Sequence, residues 1–488
     1  MVLLLPILIP AVAGVLAFFI RRKSACKALL TLPAAAHFLL TGLFWLQPPR
    51  PCLNGWLFLD SAGLLFLSIT SGLFLVCSVY ALGYLSRQAA SAAGTGAHPP
   101  AQSPESVFAG CMLLFLASMS MIAESAHFGL LWVAVEASTL ASAPLIYFHR
   151  NSRSLEATWK YLMVCSVGVA LALLANFMLA VSAGPGTQMV LESLTMRGGH
   201  LSLPWLKASF LFFLVGYGTK MGLAPLHNWL PDAHSESPSV VSALLSGALL
   251  NCAFLGILRA YQVCEAAGIG AFARELLVVF GMLSIGLAAI FIIGQADYKR
   301  MLAYSSVENM GILALGVGIG GAATFGALLH SVGHSLTKAL LFLAAGNILS
   351  VYQSKSTREV TGIIRRLPVS GMLWLLGFLA ITGSPPFSPF LSIFTIFNAT
   401  IGAGRHVLAC AYLLFLGAAF IGMAGIVLRM ALGTPSERHS TAGPPESWLA
   451  TGPPLLLLAA VLLFGVHLPA PLQSVLAEAA RTLGGTMP

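Results

Sequence analysis

The chain has 488 residues, of which 58% are hydrophobic and only 8% are charged. A soluble domain carries about 25% charged residues, so a water-soluble globular fold is excluded. The formal net charge is +9, but the basic residues lie in short loops between apolar runs. That distribution argues against nucleic-acid binding and favours a role in membrane topology. The composition predicts an all-α polytopic membrane protein.

The apolar runs have the length of about 20 residues that carries a helix across a bilayer, and polar breaks divide the chain into about 14 of them. The predicted spans begin near Val2, Ala28, Ser61, Val107, Phe128, Tyr161, Leu206, Ser239, Leu276, Leu302, Thr324, Ser370, Val407 and Leu449. A short amphipathic tail from Pro471 to Leu483 follows. The first run has no cleavage pattern before Arg21, so we expect it to remain as a helix of the mature protein.

The connections between spans indicate the topology. Residues 87–106 and 184–204 are rich in Gly, Ser and Pro and are predicted to be loops. If the loops alternate between the two sides, about 16 basic residues follow odd-numbered spans and about 7 follow even-numbered ones. This asymmetry places both termini on the non-cytoplasmic side of a cell (inner) membrane.

Eight cysteines are scattered along the chain without a CxxC pair, and nearly all of them lie in or beside apolar runs. This pattern favours packing residues over disulfides or iron–sulfur ligands.

Prolines interrupt two of the predicted spans. The seventh is broken at Ala224-Pro225 and at Leu230-Pro231, and the twelfth at Ser384-Pro385-Pro386. Within two five-helix units, spans four to eight and nine to thirteen, each break falls in the fourth helix, and the odd offset inverts one unit relative to the other. Broken helices at matching positions of inverted repeats indicate a transport site near the membrane midplane. The alternative is two unrelated proline kinks.

The predicted organisation is therefore a three-helix N-terminal segment (1–106), two repeats (107–262 and 271–431), and a last span with its amphipathic tail (432–488).

Few ionisable residues lie inside the predicted spans, where a charge costs about 2.5–3.5 kcal/mol. Glu136 lies about two turns into the fifth span, and Lys220 lies just before the first helix break. Both are too deep to reach the membrane surface, so we predict a buried pair whose protonation is coupled. The alternative is a static structural ion pair.

The eleventh span carries His330, His334 and Lys338 at intervals of four residues. This spacing puts three titratable groups on one helix face, about 6 Å apart along the axis, as in a water-bridged proton wire. A hydrogen-bonded core histidine is the alternative for each one. Glu308, near the cytoplasmic mouth of the tenth span, could either feed this wire or pair with nearby basic residues. Two histidines on one face cannot both be axial ligands of one haem, and the carboxylate or cysteine ligands of a metal site are not clustered, so the pattern favours neither.

Four segments carry a resemblance to a known family. They are residues 216–239 (GYGTKMGLAPLHNWLPDAHSESPS), 132–140 (WVAVEASTL), 296–306 (ADYKRMLAYSS) and 337–346 (TKALLFLAAG). In these segments the chain resembles the antiporter-like membrane subunits of respiratory complex I, the cation/proton antiporters and the membrane-bound hydrogenases. The likeness extends over roughly residues 60–430.

The resemblance implies two half-channels formed by inverted repeats. It assigns Glu136, Lys220, His330, His334 and Lys338 to the proton pathway of the family, and we include His227 and Glu308 among the candidates. The chain departs from the family at two positions. Asn251 stands where the eighth helix usually has a lysine or histidine, and Ile393 stands where a lysine or glutamate usually follows the twelfth-helix break.

Asparagine binds water but does not store a proton at neutral pH, and isoleucine does neither. The resemblance therefore implies an intact input half, an altered centre and an altered exit. The asparagine and the Ser-Leu-Thr-Lys sequence of the eleventh span are most similar to component F of the hydrogenase-4 type of formate hydrogenlyase.

The function expected from these features is that of a proton-translocating membrane subunit in a redox-driven complex of the hydrogenase or NADH:quinone oxidoreductase type. Such a subunit has no cofactor or redox centre of its own. Its partners are other membrane subunits and, through them, a peripheral hydrogenase or dehydrogenase arm. A cation/proton antiporter subunit and a structural subunit that no longer pumps remain alternatives.

Overall fold

A computed structural model describes residues 2–93, 104–434 and 446–487. This part of the chain forms helices and connecting turns, with isolated β-bridges but no strand. The helices are α1 (Leu5–Phe19), α2 (Lys23–Leu46), α3 (Ser61–Ala93), α4 (Pro104–Glu124), α5 (Phe128–Ile146), α6 (Ser152–Ala183), α7 (Leu191–Met196), α8 (Leu203–Met221), α9 (Trp229–Glu236), α10 (Ser239–Leu244), α11 (Leu250–Ala266), α12 (Gly270–Ile292), α13 (Tyr298–Ile319), α14 (Ala322–Tyr352), α15 (Ile363–Arg366), α16 (Pro368–Ile381), α17 (Ser388–Gly402), α18 (His406–Leu432), α19 (Trp448–Val466) and α20 (Ala470–Thr482).

The prediction of a polytopic helical membrane protein is confirmed. Among the described residues, 12 helical segments are long and apolar enough to cross a membrane, and α16 and α17 are shorter apolar helices. The amphipathic tail forms α20, within one residue of the predicted bounds.

Both predicted loops contain more helix than expected. Helix α3 continues to Ala93 because the segment Ala89–Ala93 is rich in alanine, the strongest helix former. The remainder of that connection, 94–103, lies outside the described residues. In the other connection, Leu191 and Leu194 share one face of the short helix α7, and Leu194 is buried.

At both predicted helix breaks, the helix ends just before a glycine with a positive φ. Helix α8 ends before Gly222 (φ 82°), and α16 ends two residues before Gly383 (φ 74°), both in the left-handed region that glycine adopts without steric cost. Pro225 lies between α8 and α9, and Pro385 and Pro386 lie between α16 and α17.

The second proline of the seventh span was interpreted wrongly as a break. Pro231 lies in the first turn of α9, where a proline removes no intrahelical hydrogen bond.

The helix that carries Asn251 contains an irregularity that the sequence did not predict. Between α10 and α11, residues Leu245–Leu249 form a π-helical turn. This composite helix is the most deeply buried of the apolar spans among the described residues, and α13 is nearly as enclosed. In contrast, α1, α2 and α18 present most of their surface to the periphery.

Ion pairs gather the loop charges at two ends of the bundle. At one end, Asp232 accepts from both Lys160 (2.9 Å) and Arg300 (2.6 Å), which joins α6, α9 and α13. At the other end, Arg259 forms a bidentate ion pair with Asp60.

The Asp60–Arg259 pair is largely withdrawn from solvent, with side-chain exposures of 14% and 2%. Burial alone would raise the pKa of the Asp60 carboxyl, but the Arg259 guanidinium outweighs it and holds that pKa below its usual value.

Candidate functional site

Lys220 lies in the last turn of α8 and is completely buried. Its Nζ donates to the Thr139 hydroxyl of α5 at 2.8 Å and to the Tyr161 hydroxyl of α6 at 2.6 Å. The Tyr161 hydroxyl lies 2.6 Å from Ser142 Oγ, which in turn donates to the Ser138 carbonyl. The ammonium is therefore held by neutral oxygens at the end of a short hydroxyl chain.

Glu136 lies near the middle of α5, as predicted, and is partly exposed. One carboxyl oxygen accepts from the Ser166 hydroxyl at 3.4 Å, and the other has no hydrogen-bond partner among the described residues. Lys220 contacts α5 close to Glu136, because its partner Thr139 follows Glu136 by three residues on that helix. Lys220 is bonded to Thr139 and Tyr161 rather than directly to the carboxylate, so the two charges belong to one polar cluster without a direct ion pair.

The altered central residue, Asn251, is buried at the first turn of α11. Its amide nitrogen donates to the Gly247 carbonyl of the π turn at 3.0 Å and to Ser335 Oγ of α14 at 2.6 Å. Its amide oxygen has no partner among the described residues. Asn251 therefore links α11 to the π turn and to α14 through neutral hydrogen bonds.

The π turn also contacts the predicted wire. His334 Nε2 lies 3.4 Å from the Ser246 carbonyl, and Ser246 Oγ lies 2.7 Å from Ser306 Oγ of α13. Ser306 Oγ donates to the Leu302 carbonyl, which also accepts from Lys338 Nζ at 2.8 Å. His334 and Lys338 are thus joined through α13 and the π turn.

The third member of the wire has a different set of partners. His330 Nδ1 lies 2.8 Å from Ser392 Oγ of α17, and Nε2 lies 2.9 Å from Asn309 Oδ1 of α13. The ring centroids of His330 and His334 are 6.4 Å apart. All three side chains of the row are fully buried, so they face the protein interior rather than lipid. His330 connects the row to the second broken helix.

Glu308 lies deeper than the sequence suggested. Helix α13 begins at Tyr298 rather than near Leu302, which places Glu308 near the middle of the helix, 6% exposed, and not at its mouth. The nearby basic residues have other partners: Arg300 pairs with Asp232, and Lys299 donates to the Ser235 and Ser237 carbonyls. Of the two alternatives left open, pairing with these basic residues is therefore not what the structure shows.

His227 lies in the first helix break and is 5% exposed. Its ring packs near Phe291 and Tyr304, with centroids 6.4 and 6.0 Å away, and its Nδ1 has no partner among the described residues.

The altered exit position is lined by apolar side chains. Ile393 packs against a cluster that includes Ile396 and Tyr412. It also lies so close to Gly383 that a side chain there would clash with it, since an added Cβ would be only 2.7 Å from Ile393 Cδ1. Ser388 offers a nearby hydroxyl that is buried without a partner among the described residues and contacts Gly333, between the two histidines. The hydroxyl of Ser392 is already hydrogen-bonded to His330.

Several polar residues of the site were not identified from the sequence. They are the hydroxyl and amide groups of Tyr161, Ser142, Ser246, Ser306, Asn309 and Ser335, together with His234. His234 is fully buried, stacks on Phe342 and has no ring hydrogen bond among the described residues. Neutral side chains in apolar helices give no periodic signal, although Thr139, His234 and Ser306 lie inside the segments at 132–140, 216–239 and 296–306. In the described ranges, no cluster of three or more His, Cys, Asp or Glu side chains could hold a metal ion.

The match to a protein family covers the whole of this polar site. Residues 125–421 match the transmembrane region of the NADH:quinone oxidoreductase/Mrp antiporter family. The chain therefore belongs to this family.

Individual relatives carry the likeness further. The chain is 40% identical over 304 residues to a hydrogenase-4 component F homolog of Methylacidiphilum infernorum, a match covering 61% of this chain and 63% of that protein. It is 30% identical over 358 residues to hydrogenase-4 component B of Escherichia coli, which covers 71% of this chain and 51% of the relative. The chain thus matches between half and two thirds of the length of these relatives. The fold also matches a chain of respiratory complex I from Thermus thermophilus with a TM-score of 0.82, at 24% identity, over 99% of this chain and 100% of that one.

Proposed function

We propose that this chain is a proton-translocating membrane subunit of a redox-driven oxidoreductase complex of the hydrogenase-4/formate hydrogenlyase or NADH:quinone oxidoreductase type. The observation that carries the proposal is the burial of Lys220 and Lys338, both 0% exposed and both hydrogen-bonded to neutral oxygens. A buried ammonium without a directly paired carboxylate opposes folding, so a role in proton transfer explains its presence.

The proposed path enters at the cluster of Glu136, Lys220 and Tyr161. It continues through Asn251 and Ser335 to His334 and Lys338, with Glu308 and His227 as further proton-binding groups beside it. His330 then connects the path to Ser392 at the second helix break. Asn251 acts as a hydrogen-bonding relay rather than a proton store, because its amide does not titrate.

The proposal assigns this path to two inverted repeats, 107–262 and 271–431, within a fold of about 14 membrane passages. The excess of basic residues in the loops after odd-numbered spans supports a cell (inner) membrane location with both termini on the non-cytoplasmic side.

The partners proposed are other membrane subunits and, through them, a peripheral hydrogenase or dehydrogenase arm, as the names of the relatives suggest. Electrons pass through those partners, and no cofactor is assigned to this chain. Its own role is then the movement of protons in response to a reaction elsewhere in the complex.

Two alternatives are supported by particular observations. The family includes Mrp antiporters, which favours a cation/proton antiporter subunit; its signature is a dependence of transport on sodium or potassium. The apolar surroundings of Ile393 favour a structural subunit that no longer pumps.

The test uses the complex purified through an affinity tag on this chain. We expect hydrogenase or quinone-reductase subunits to copurify with it. In sealed membrane vesicles, Lys220→Met and Lys338→Met are expected to lower proton transport per electron pair, measured on equal amounts of assembled complex. Arg197→Met, at an exposed loop position, is the control. Transport that is unchanged in both lysine variants would contradict the proposal.

A further inference from the structure

A second buried polar cluster lies outside the path just described, among the N-terminal helices. His37 of α2 is completely buried. Its Nδ1 lies 2.7 Å from Ser71 Oγ of α3, and its Nε2 lies 2.7 Å from Ser120 Oγ of α4. A neutral imidazole that contacts a hydroxyl at each nitrogen can take up a proton on one side and release one on the other.

Glu124 extends this cluster along α4. It follows Ser120 by four residues, which places it on the same side of the helix and about 6 Å further along the axis. Its side chain is 0% exposed, and neither carboxyl oxygen has a hydrogen-bond partner among the described residues. No cation of the described ranges forms an ion pair with it, unlike Glu105 of the same helix, which pairs with Lys23.

Packing cannot explain such a carboxyl. Burial of an ionisable group without a partner opposes folding, and in a membrane protein it marks a functional site by default. The end of α4 is covered by the loop between α2 and α3, where Phe58 N donates to the Glu124 carbonyl at 2.8 Å and Ala126 N donates to the Trp56 carbonyl at 2.9 Å. Trp56 and Phe58 are themselves exposed, so Glu124 lies just beneath the surface at this end of the bundle.

The cluster also adjoins the centre of the proposed path. Cys252, next to Asn251, has its Sγ 4.0 Å from the carbonyl of Met119, the residue before Ser120. The thiol also interacts with the side chain of Thr70, the residue before Ser71. Helices α3 and α4 therefore contact the Asn251 helix through residues adjacent to both serines that hold His37.

We propose that Ser71, His37, Ser120 and Glu124 form a proton-conducting side branch from the Asn251 region to the membrane face at which α4 ends. The inference rests on the proposed function of the chain. In one transfer, a proton arriving by way of Ser71 binds the free nitrogen of His37, and the other nitrogen releases its proton through Ser120 and an intervening water to a Glu124 that is already protonated. Glu124 releases its own proton to water at that face as it takes up the new one, so the cluster stays uncharged. His37 is left as its other tautomer, and its ring must turn over before the next transfer.

The branch places a titratable group, Glu124, at one end of the bundle, whereas Ile393 at the altered exit cannot bind a proton. A purely structural His37 would equally tie α2 to α3 and α4, but that role needs no carboxyl at Glu124. The carboxyl is consequently the residue on which to test the branch.

The experiment compares Glu124→Gln with Glu105→Gln in the tagged complex, reconstituted in vesicles and energised with formate, dihydrogen or NADH, whichever the complex oxidises. Glutamine preserves the shape of the side chain and removes its proton. We expect Glu124→Gln to lower the protons moved per electron pair by about half or more, because it removes the titratable end of the branch. Glu105→Gln is expected to match the unsubstituted protein.

A second readout separates proton binding from packing. Infrared difference spectra between resting and turning-over complex should contain a carboxyl band that Glu124→Gln removes and Glu105→Gln retains. His37→Gln should weaken that band while Glu124 is still present.

The two lysine variants separate the side branch from the proposed function. If Lys220→Met lowers proton transport while Glu124→Gln has no effect on transport or on the infrared band, the branch is wrong and the proposed function stands. If neither Lys220→Met nor Lys338→Met has any effect, the proposed function fails and the branch fails with it. Equal losses in the two glutamine variants would show a packing effect and would also overturn the branch.

Discussion

The Lys220 ammonium and the Tyr161 hydroxyl are 2.6 Å apart, and the same nitrogen lies 4.6 Å from the centre of the tyrosine ring. Tyr161 therefore stabilises the charged lysine through its hydroxyl oxygen, which accepts a hydrogen bond from the ammonium. This makes a neutral residue of α6 the closest support of the predicted pathway lysine.

Replacement of Tyr161 by phenylalanine is expected to slow proton transport while the complex still assembles. The change keeps the ring and removes a hydrogen bond to a charged group, worth about 1.5–3 kcal/mol, or about 10–100-fold in an equilibrium. Transport in vesicles measures the effect. Tyr147→Phe, at the end of α5, is the matched control, and a Tyr161→Phe variant as active as the control would contradict the assigned role.

Glu136 and Lys220 are expected to be energetically coupled although they form no direct ion pair. Removal of one charge leaves the other inside the membrane with weaker compensation, so each single variant, Glu136→Gln or Lys220→Met, should reduce assembly more than the double variant does. The amount of assembled complex and its turnover are measured for the full cycle. Additive effects would show that the two residues act independently.

His334→Leu is expected to reduce proton transport and to leave the assembled complex intact. Leucine fills the buried volume but cannot connect Ser246 to the rest of the row. His406→Leu, at an exposed position, provides the control for the change of residue type. Normal transport by the His334 variant would remove the histidine row from the mechanism.

Installation of a carboxyl at the altered exit tests whether this position limits the outlet. Ile393→Glu is expected to raise the protons moved per electron pair, because the present side chain cannot accept a proton and lies among apolar neighbours. Ile396→Glu, one turn further along α17, is the comparison for a buried charge at a nearby position. An unchanged ratio, with the unsubstituted protein already pumping as well as relatives that keep the charge, would show that Ile393 is bypassed.

The Asp60–Arg259 pair predicts an acid-dependent loss of stability. The pKa of Asp60 is lowered in the folded protein, so its contribution is complete above the usual carboxyl range and is lost as the pH falls through the folded value. Arg259→Met should cost about 3–5 kcal/mol near neutral pH, because it leaves a mostly buried carboxylate unpaired. Thermal unfolding in detergent across acid pH measures both effects. A variant with the same stability and the same acid profile as the unsubstituted protein would refute the assignment.

Sequence patterns indicate the buried charged residues of the candidate site, because a lysine, glutamate or histidine inside an apolar run is conspicuous. Lys220 beside the first break and the buried row on α14 follow from spacing alone. Their partners do not, because Tyr161, Ser246 and Asn309 are ordinary polar residues whose role depends on how α6, the π turn and α13 pack.

The position of a residue along its helix was also harder to predict than the helix to which it belongs. Glu308 was placed near a helix end because the polar and basic residues before Leu302 were assigned to a loop. They form the first turn of α13 instead, capped by Asp297, whose carboxylate accepts from the Lys299 and Arg300 backbone amides. A charged first turn is compatible with a helix once such a cap is present.

The π turn at Leu245–Leu249 holds one residue more than an α-helical turn would. If that extra residue were passed along the helix beyond Asn251, the asparagine would rotate by about 100° around the helix axis while both ends of the helix stayed in place. Its amide would then turn away from Ser335, and the hydrogen bond between α11 and α14 would open. Such a rotation would break this contact while the surrounding helices kept their positions.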